Sequence, residues 1–169
     1  MSSAQFSQER HIEAVIRRRI KFVVEKGAMA RLFKKNSHRQ LQGVLRQEMD
    51  VDALKARQSA DDFDAWHRRI VLQQCWANFT DRPIEEVRWG HFAKLINIIL
   101  YELAANNEIV TDDEARRLRG LLHLPIDQKV LDLVRALQPG TRLPKKLLGM
   151  TEADYVAIQR AIRDEARRQ

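Results

Sequence analysis

Lys94 and Asp127 are the two residues of this chain whose types and settings come nearest to chemistry. Lys94 interrupts an apolar run, residues 90–100 (GHFAKLINIIL), and Asp127 follows a proline at the start of a second segment, residues 124–131 (LPIDQKVL). An ammonium set among apolar side chains loses hydration, so it must reach water, a carboxylate or a ligand. Once neutral, an amine is a good nucleophile, and a carboxylate beside it can stabilise a developing cation. Held together by two buried helices, Lys94 and Asp127 would form a catalytic pair. Each also has a purely structural reading. Lys94 can run its stem along the core and leave its charge in water, and Asp127 can satisfy the free amides of a helix start.

The elements that must position these residues all read as helices. Strand-like alternation is absent, and β-branched residues never cluster over a strand length. Ile12, Val15, Ile16, Ile20, Val23 and Val24 place a helix over residues 8–26, stopped by Gly27. A short segment, 28–35, follows. Ser37 reads as an N-cap with Gln40 as its capping-box partner, opening a helix that carries Leu41, Val44, Leu45, Met49 and Leu54 despite Gly43. Residues 59–64 (SADDFD) mark a change in composition. Asp61 and Asp62 suit a helix first turn, and Asp64 is explained with them as capping acidity. That helix runs to about residue 79 with Phe63, Trp66, Ile70, Val71, Cys75 and Trp76 as a core stripe.

Pro83 opens a short helix over 84–89. The helix over 91–105 is apolar nearly all round, which marks a central, buried element. Lys94, Asn97 and Tyr101 break its pattern at i, i+3 and i+7 and so share one stripe. Thr111 with Glu114 forms a capping box for a helix to about residue 122. Pro125 puts Asp127 in the first turn of a helix ending near residue 137, stopped by Pro139 and Gly140, and Thr151 caps the last helix. The expectation is an all-α, multi-helix domain of about seven to nine helices around one central buried helix.

The run after Gly90 resembles the signature of the helix-hairpin-helix DNA glycosylases of the endonuclease III type. Gly90, Lys94, Asn97 and Ile98, Ile99, Leu100 fall in register with a hairpin glycine, a lysine, an asparagine three residues on, and aliphatics. Pro125, Ile126 and Asp127 with the later Arg135 look similar to the family's aspartate segment. The resemblance implies that Lys94 attacks the sugar C1′ to displace a base and forms a Schiff base, with Asp127 as the catalytic carboxylate. The chain departs from the pattern in places. Phe92 stands where the family has its second hairpin glycine, Leu95 and Ile96 where it has Thr-Ala, and no cysteine cluster exists for an iron–sulfur site. About 25 residues carry the likeness.

Charge points to a different site. The net charge is +7, and residues 1–57 hold 13 Lys/Arg against 6 Asp/Glu, leaving 17 of each sign in the rest. The whole excess therefore lies in a basic N-terminal part, residues 1–58, distinct in composition from the neutral part, 59–169, within one continuous globular unit. Such asymmetry suggests an anionic partner, with DNA or RNA foremost. Arg17, Arg18, Lys21, Arg31, Lys34, Lys35 and Arg39 are the residues to bind it, in a salt-dependent and largely sequence-independent way. Three consecutive arginines, 17–19, spread over too much of a helix to share one face.

The five histidines show no metal-ligand spacing, no phosphate loop or nucleophile elbow is present, and no metal or cofactor is expected. The lone Cys75 cannot form an internal disulfide, and neither a signal core nor an apolar run of spanning length is present, so a cytoplasmic protein with no membrane partner is expected. The leading reading is a nucleic-acid-binding helical protein rather than an enzyme. The alternatives are a base-excision enzyme using Lys94 and Asp127, and a helical subunit or regulator that docks an acidic protein partner. The oligomeric state is not readable from the sequence.

Overall fold

Among the described residues of the computed structural model eight α-helices follow one another: α1 (Ser3–Glu25), α2 (His38–Glu48), α3 (Val51–Ala56), α4 (Ala60–Val71), α5 (Trp89–Ala104), α6 (Asp112–Arg119), α7 (Gln128–Leu137) and α8 (Glu152–Arg168). The structure describes residues 3–25, 33, 37–73, 79, 89–137, 143–147 and 149–168, with side chains from residue 7 onward. No strand occurs among the described residues, so the chain is all-α as its periodicity predicts. Cys75, Trp76, residues 84–88 of the expected short helix, most of the 28–35 segment and the stops at Gly27 and at Pro139–Gly140 lie outside the described residues, whereas Trp89 belongs to α5 and not to a separate short helix.

Helix α5 is the central element because its apolar side chains point in nearly every direction. It packs against α1, α4, α6 and α8, while α1 also packs on α2 and α7 on α8. Leu95, Ile96, Ile99 and Leu100 are almost wholly removed from solvent. One hydrophobic core takes residues from all eight helices, among them Val24, Leu45, Leu54, Phe63, Leu118, Leu131 and Ile158. The basic third and the neutral remainder therefore share that core. Gly90 permits the close approach at the start of α5. A Cβ there would lie 3.0 Å from Cβ and Sδ of Met150 and 3.1 Å from Leu147.

The helix ends follow local chemistry, with corrections at α2 and α3 and at the end of α4, which stops at Val71 rather than near residue 79. Thr111 and Glu114 form the expected capping box, Ser59 accepts from the Asp62 amide at 3.2 Å, and Thr151 exchanges hydrogen bonds with Asp154. Ser37 precedes α2 but makes no side-chain cap bond, because its backbone is already helical and its hydroxyl is not swung toward the free amides. Leu54 does not belong to α2. Asp50 accepts from the amides of Asp52 and Ala53, which ends one helix at Met49 and starts α3. No helix among the described residues is long and apolar enough to cross a membrane.

Candidate functional site

Between α6 and α7 the chain runs through residues 120–127 without helix, yet Leu121, Leu122 and His123 are buried. Buried backbone polar groups need partners, and long polar side chains supply them. Gln159 of α8 clamps Leu124 on both sides, its Oε1 accepting from the amide at 3.1 Å and its Nε2 donating to the carbonyl at 2.8 Å. Asn97 of α5 donates to the same carbonyl at 3.3 Å. Arg163 of α8 donates to the Leu121 carbonyl at 3.3 Å.

From this clamp a single chain of hydrogen bonds crosses the core. His123 Nε2 lies 2.7 Å from Asp64 Oδ1, and its Nδ1 lies 2.8 Å from the Tyr155 hydroxyl. Asn97 Nδ2 donates to that hydroxyl at 2.9 Å. Asn97 Oδ1 lies 2.8 Å from His67 Nε2. Arg163 grips Asp64 with both terminal nitrogens, at 2.9 and 2.7 Å. His67, Asn97, Tyr155 and Gln159 are each under 4% exposed.

Acceptor-only ends fix where the protons sit. The Asp64 carboxylate can only accept, so His123 Nε2 donates and Nδ1 takes the Tyr155 proton. The Leu124 carbonyl can only accept, so the Asn97 amide nitrogen faces it and the Asn97 oxygen accepts from His67 Nε2–H. Neutral His67 then keeps an unprotonated Nδ1 that has no partner among the described residues. The electrostatics agree with this pattern. Burial, helped by nearby positive charge, drives the His67 value down to about 3, so the ring is neutral at ordinary pH. Burial also pushes His123 down against the opposing hydrogen bond to Asp64. Partial burial disfavours the Asp64 charge, but the hydrogen bonds from His123 and Arg163 outweigh it and hold the carboxyl below its ordinary range. With His123 neutral, Arg163 is the counter-ion.

A cavity of about 250 Å³ opens on this network between α4 and α8, with His67, Trp89, His123 and Tyr155 among its walls. Burial raises the Tyr155 phenol far above its usual range, so it stays protonated and is no nucleophile at neutral pH. The arrangement suits fixed hydrogen-bond recognition rather than acid–base chemistry. Among the described residues no group of three or more His, Cys, Asp and Glu side chains is placed to hold a metal ion. Asp64 and His123 come nearest to one, but Asp64 already accepts from both His123 and Arg163.

Lys94 and Asp127 occupy quieter positions. Lys94 is half-buried on α5. Asp127 sits just before α7 rather than in its first turn, and its carboxylate accepts from the Val130 amide at 3.0 Å. The helix starts three residues after Pro125 because Asp127 itself provides the cap. No ion pair joins Lys94 to Asp127 among the described residues. Of the polar stripe on α5, Asn97 enters the network, while Lys94 and Tyr101 remain partly exposed. Asp64, explained from sequence as capping acidity, is instead an anchor of the network, since Ser59 and Asp62 serve the helix end.

The basic residues divide by face. Arg17, Arg18 and Lys21 are exposed on α1, and Arg39 is exposed on α2. Arg19 turns away from them and pairs with Glu102 of α5 at 3.1 Å. Arg31, Lys34 and Lys35 lie outside the described residues. Reading the sequence missed His67, His123, Tyr155, Gln159 and Arg163 as a group. Their signal was polar side chains at core spacing: His67 four residues after Phe63, and Tyr155, Gln159 and Arg163 at i, i+4 and i+8. Comparison of the chain with protein-family models, with curated proteins and with solved structures finds no match.

Proposed function

We propose that the protein binds nucleic acid through a basic stripe on α1, with little dependence on sequence. The observation that carries this reading is the confinement of the entire +7 excess to the first 57 residues. Arg10, Arg17, Arg18 and Lys21 fall within an arc of roughly 100° on α1, away from its buried Val23, over about 16 Å of helix rise. Arg18, Lys21 and Arg39 make no ion pair among the described residues, so their charge is available to phosphates. Arg17 has only a long contact with Glu13, at 3.8 Å, and both are well exposed. Such a contact is worth little in water. Helix α2 packs against α1, which brings Arg39 to the same part of the molecule.

Three or four phosphate contacts would give a log–log salt slope of roughly −3. Fluorescence anisotropy of labelled duplex DNA and single-stranded RNA at several salt concentrations measures it. The triple variant Arg17→Glu, Arg18→Glu, Lys21→Glu is expected to weaken binding by about tenfold or more and to flatten the slope. Unchanged affinity in that variant overturns the reading.

A further inference from the structure

Three large apolar side chains stay exposed among the described residues: Phe22 of α1, and Leu133 and Leu137 of α7. Of these only Phe22 is aromatic. Its chain neighbours Val23 and Val24 are buried, so the turn of α1 that fills the core carries the Phe22 ring outward, and 51% of the residue is left exposed. A lone exposed apolar side chain is ordinary on a protein surface. The setting of this one is not. Phe22 follows Arg18 by four residues, which places the two about 40° apart around α1 and about 6 Å apart along it. Lys21 adjoins it in the chain. The ring therefore borders the basic stripe, on the side away from Arg17. Glu25, the nearest acid along α1, already accepts from Gln42 of α2 at 3.0 Å.

Phosphate contacts account for affinity toward any polyanion, but they give an aromatic ring no part to play. A nucleobase face does. Bases stack on aromatic side chains with little regard to sequence, and single strands leave those faces open. In a duplex the faces are covered by neighbouring pairs, and a surface ring reaches them only by prying a step apart. One ring is enough to cover one base, yet it offers too little apolar area to hold a lipid surface.

We propose that the basic face of α1 takes single-stranded nucleic acid in preference to duplex, with Phe22 as the stacking platform for a base and Arg17, Arg18 and Lys21 on the flanking phosphates. This rests on the reading of α1 as a nucleic-acid-binding face, and adds to it the strandedness of the ligand and the role of the ring.

Fluorescence anisotropy at fixed salt compares a short labelled oligothymidylate, an abasic strand of the same length, and a duplex of that length. Phosphatidylserine vesicles form a fourth arm. The abasic strand carries the same phosphates and no bases. The oligothymidylate is expected to bind more tightly than the abasic strand or the duplex, by about fivefold or more. Phe22→Ala should remove the difference between the two strands, leave the salt slope unchanged and alter duplex affinity by less than about twofold, whereas Phe22→Trp should keep the difference. The comparison of strands on the wild type decides the matter even if Phe22→Ala fails to fold. Equal binding of the base-bearing and abasic strands, tighter binding of the duplex, or undiminished oligothymidylate binding by Phe22→Ala overturns this inference, while loss of binding on charge reversal would still support the basic face. No binding of any strand, with or without binding to the vesicles, overturns both.

Discussion

Acid should destabilise this protein through His67 from about pH 6.5 downward. The ring is 1% exposed and its value is driven down to about 3, whereas in an unfolded chain a histidine titrates near 6.5. As pH falls below about 6.5 the unfolded chain takes up a proton that the folded protein refuses, so stability falls with pH throughout the window from about 6.5 to 3. At 1.36 kcal/mol per pH unit, His67 alone removes about 2 kcal/mol between about pH 7.5 and pH 5. His123 is shifted in the same direction and adds to this loss. Asp64 is shifted down from its ordinary value of 3.8, so its contribution is lost only below about that pH, outside the range from about pH 7.5 to 5 that is compared. Arg163 and Tyr155 both have raised values and stay protonated throughout.

The decisive comparison is with His67→Gln, whose amide can still donate to Asn97 but cannot titrate. Urea denaturation at both pH values should show the wild type losing about 2 kcal/mol more than the variant, or about 4–8 °C in Tm. An equal pH dependence in the two proteins refutes the assignment of a buried neutral imidazole at this position.

Two further outcomes are expected from the fold. Gly43 lies inside α2 with nothing within 4 Å of where a Cβ would be, so Gly43→Ala should raise stability by about 0.5–1 kcal/mol, read as a higher urea midpoint. Asn97→Leu removes the acceptor of His67 and one of two donors to the Leu124 carbonyl. It should cost about 3 kcal/mol by the same measurement and speed amide exchange in residues 121–124, which the network holds.

The helices were legible in the sequence because each rests on interactions among near neighbours. Apolar spacing at 3.6 residues placed seven of the eight, and the Thr111–Glu114 box and the Thr151 cap depend on residues three apart. The all-apolar run around Leu95 and Ile99 announced a central helix, since no other environment hides such a surface. The confinement of the net positive excess to the first third is a property of composition alone.

What the sequence could not supply was the pairing of distant elements. Asp64 and Arg163 stand 99 residues apart, and His67 and Asn97 stand 30 apart. No periodicity links them. Their meeting depends on how α4, α5 and α8 cross, and that is decided by packing of the whole core. Sequence reading singled out Lys94 because a charge on an apolar helix is conspicuous. The folded chain placed Asn97, one turn further on, where Leu124, Tyr155 and His67 converge. Local chemistry determined which segments are helical and where most of them begin. Only the tertiary structure decided which polar side chains would lose water together, because desolvation and the hydrogen bonds that offset it arise between helices and not within them.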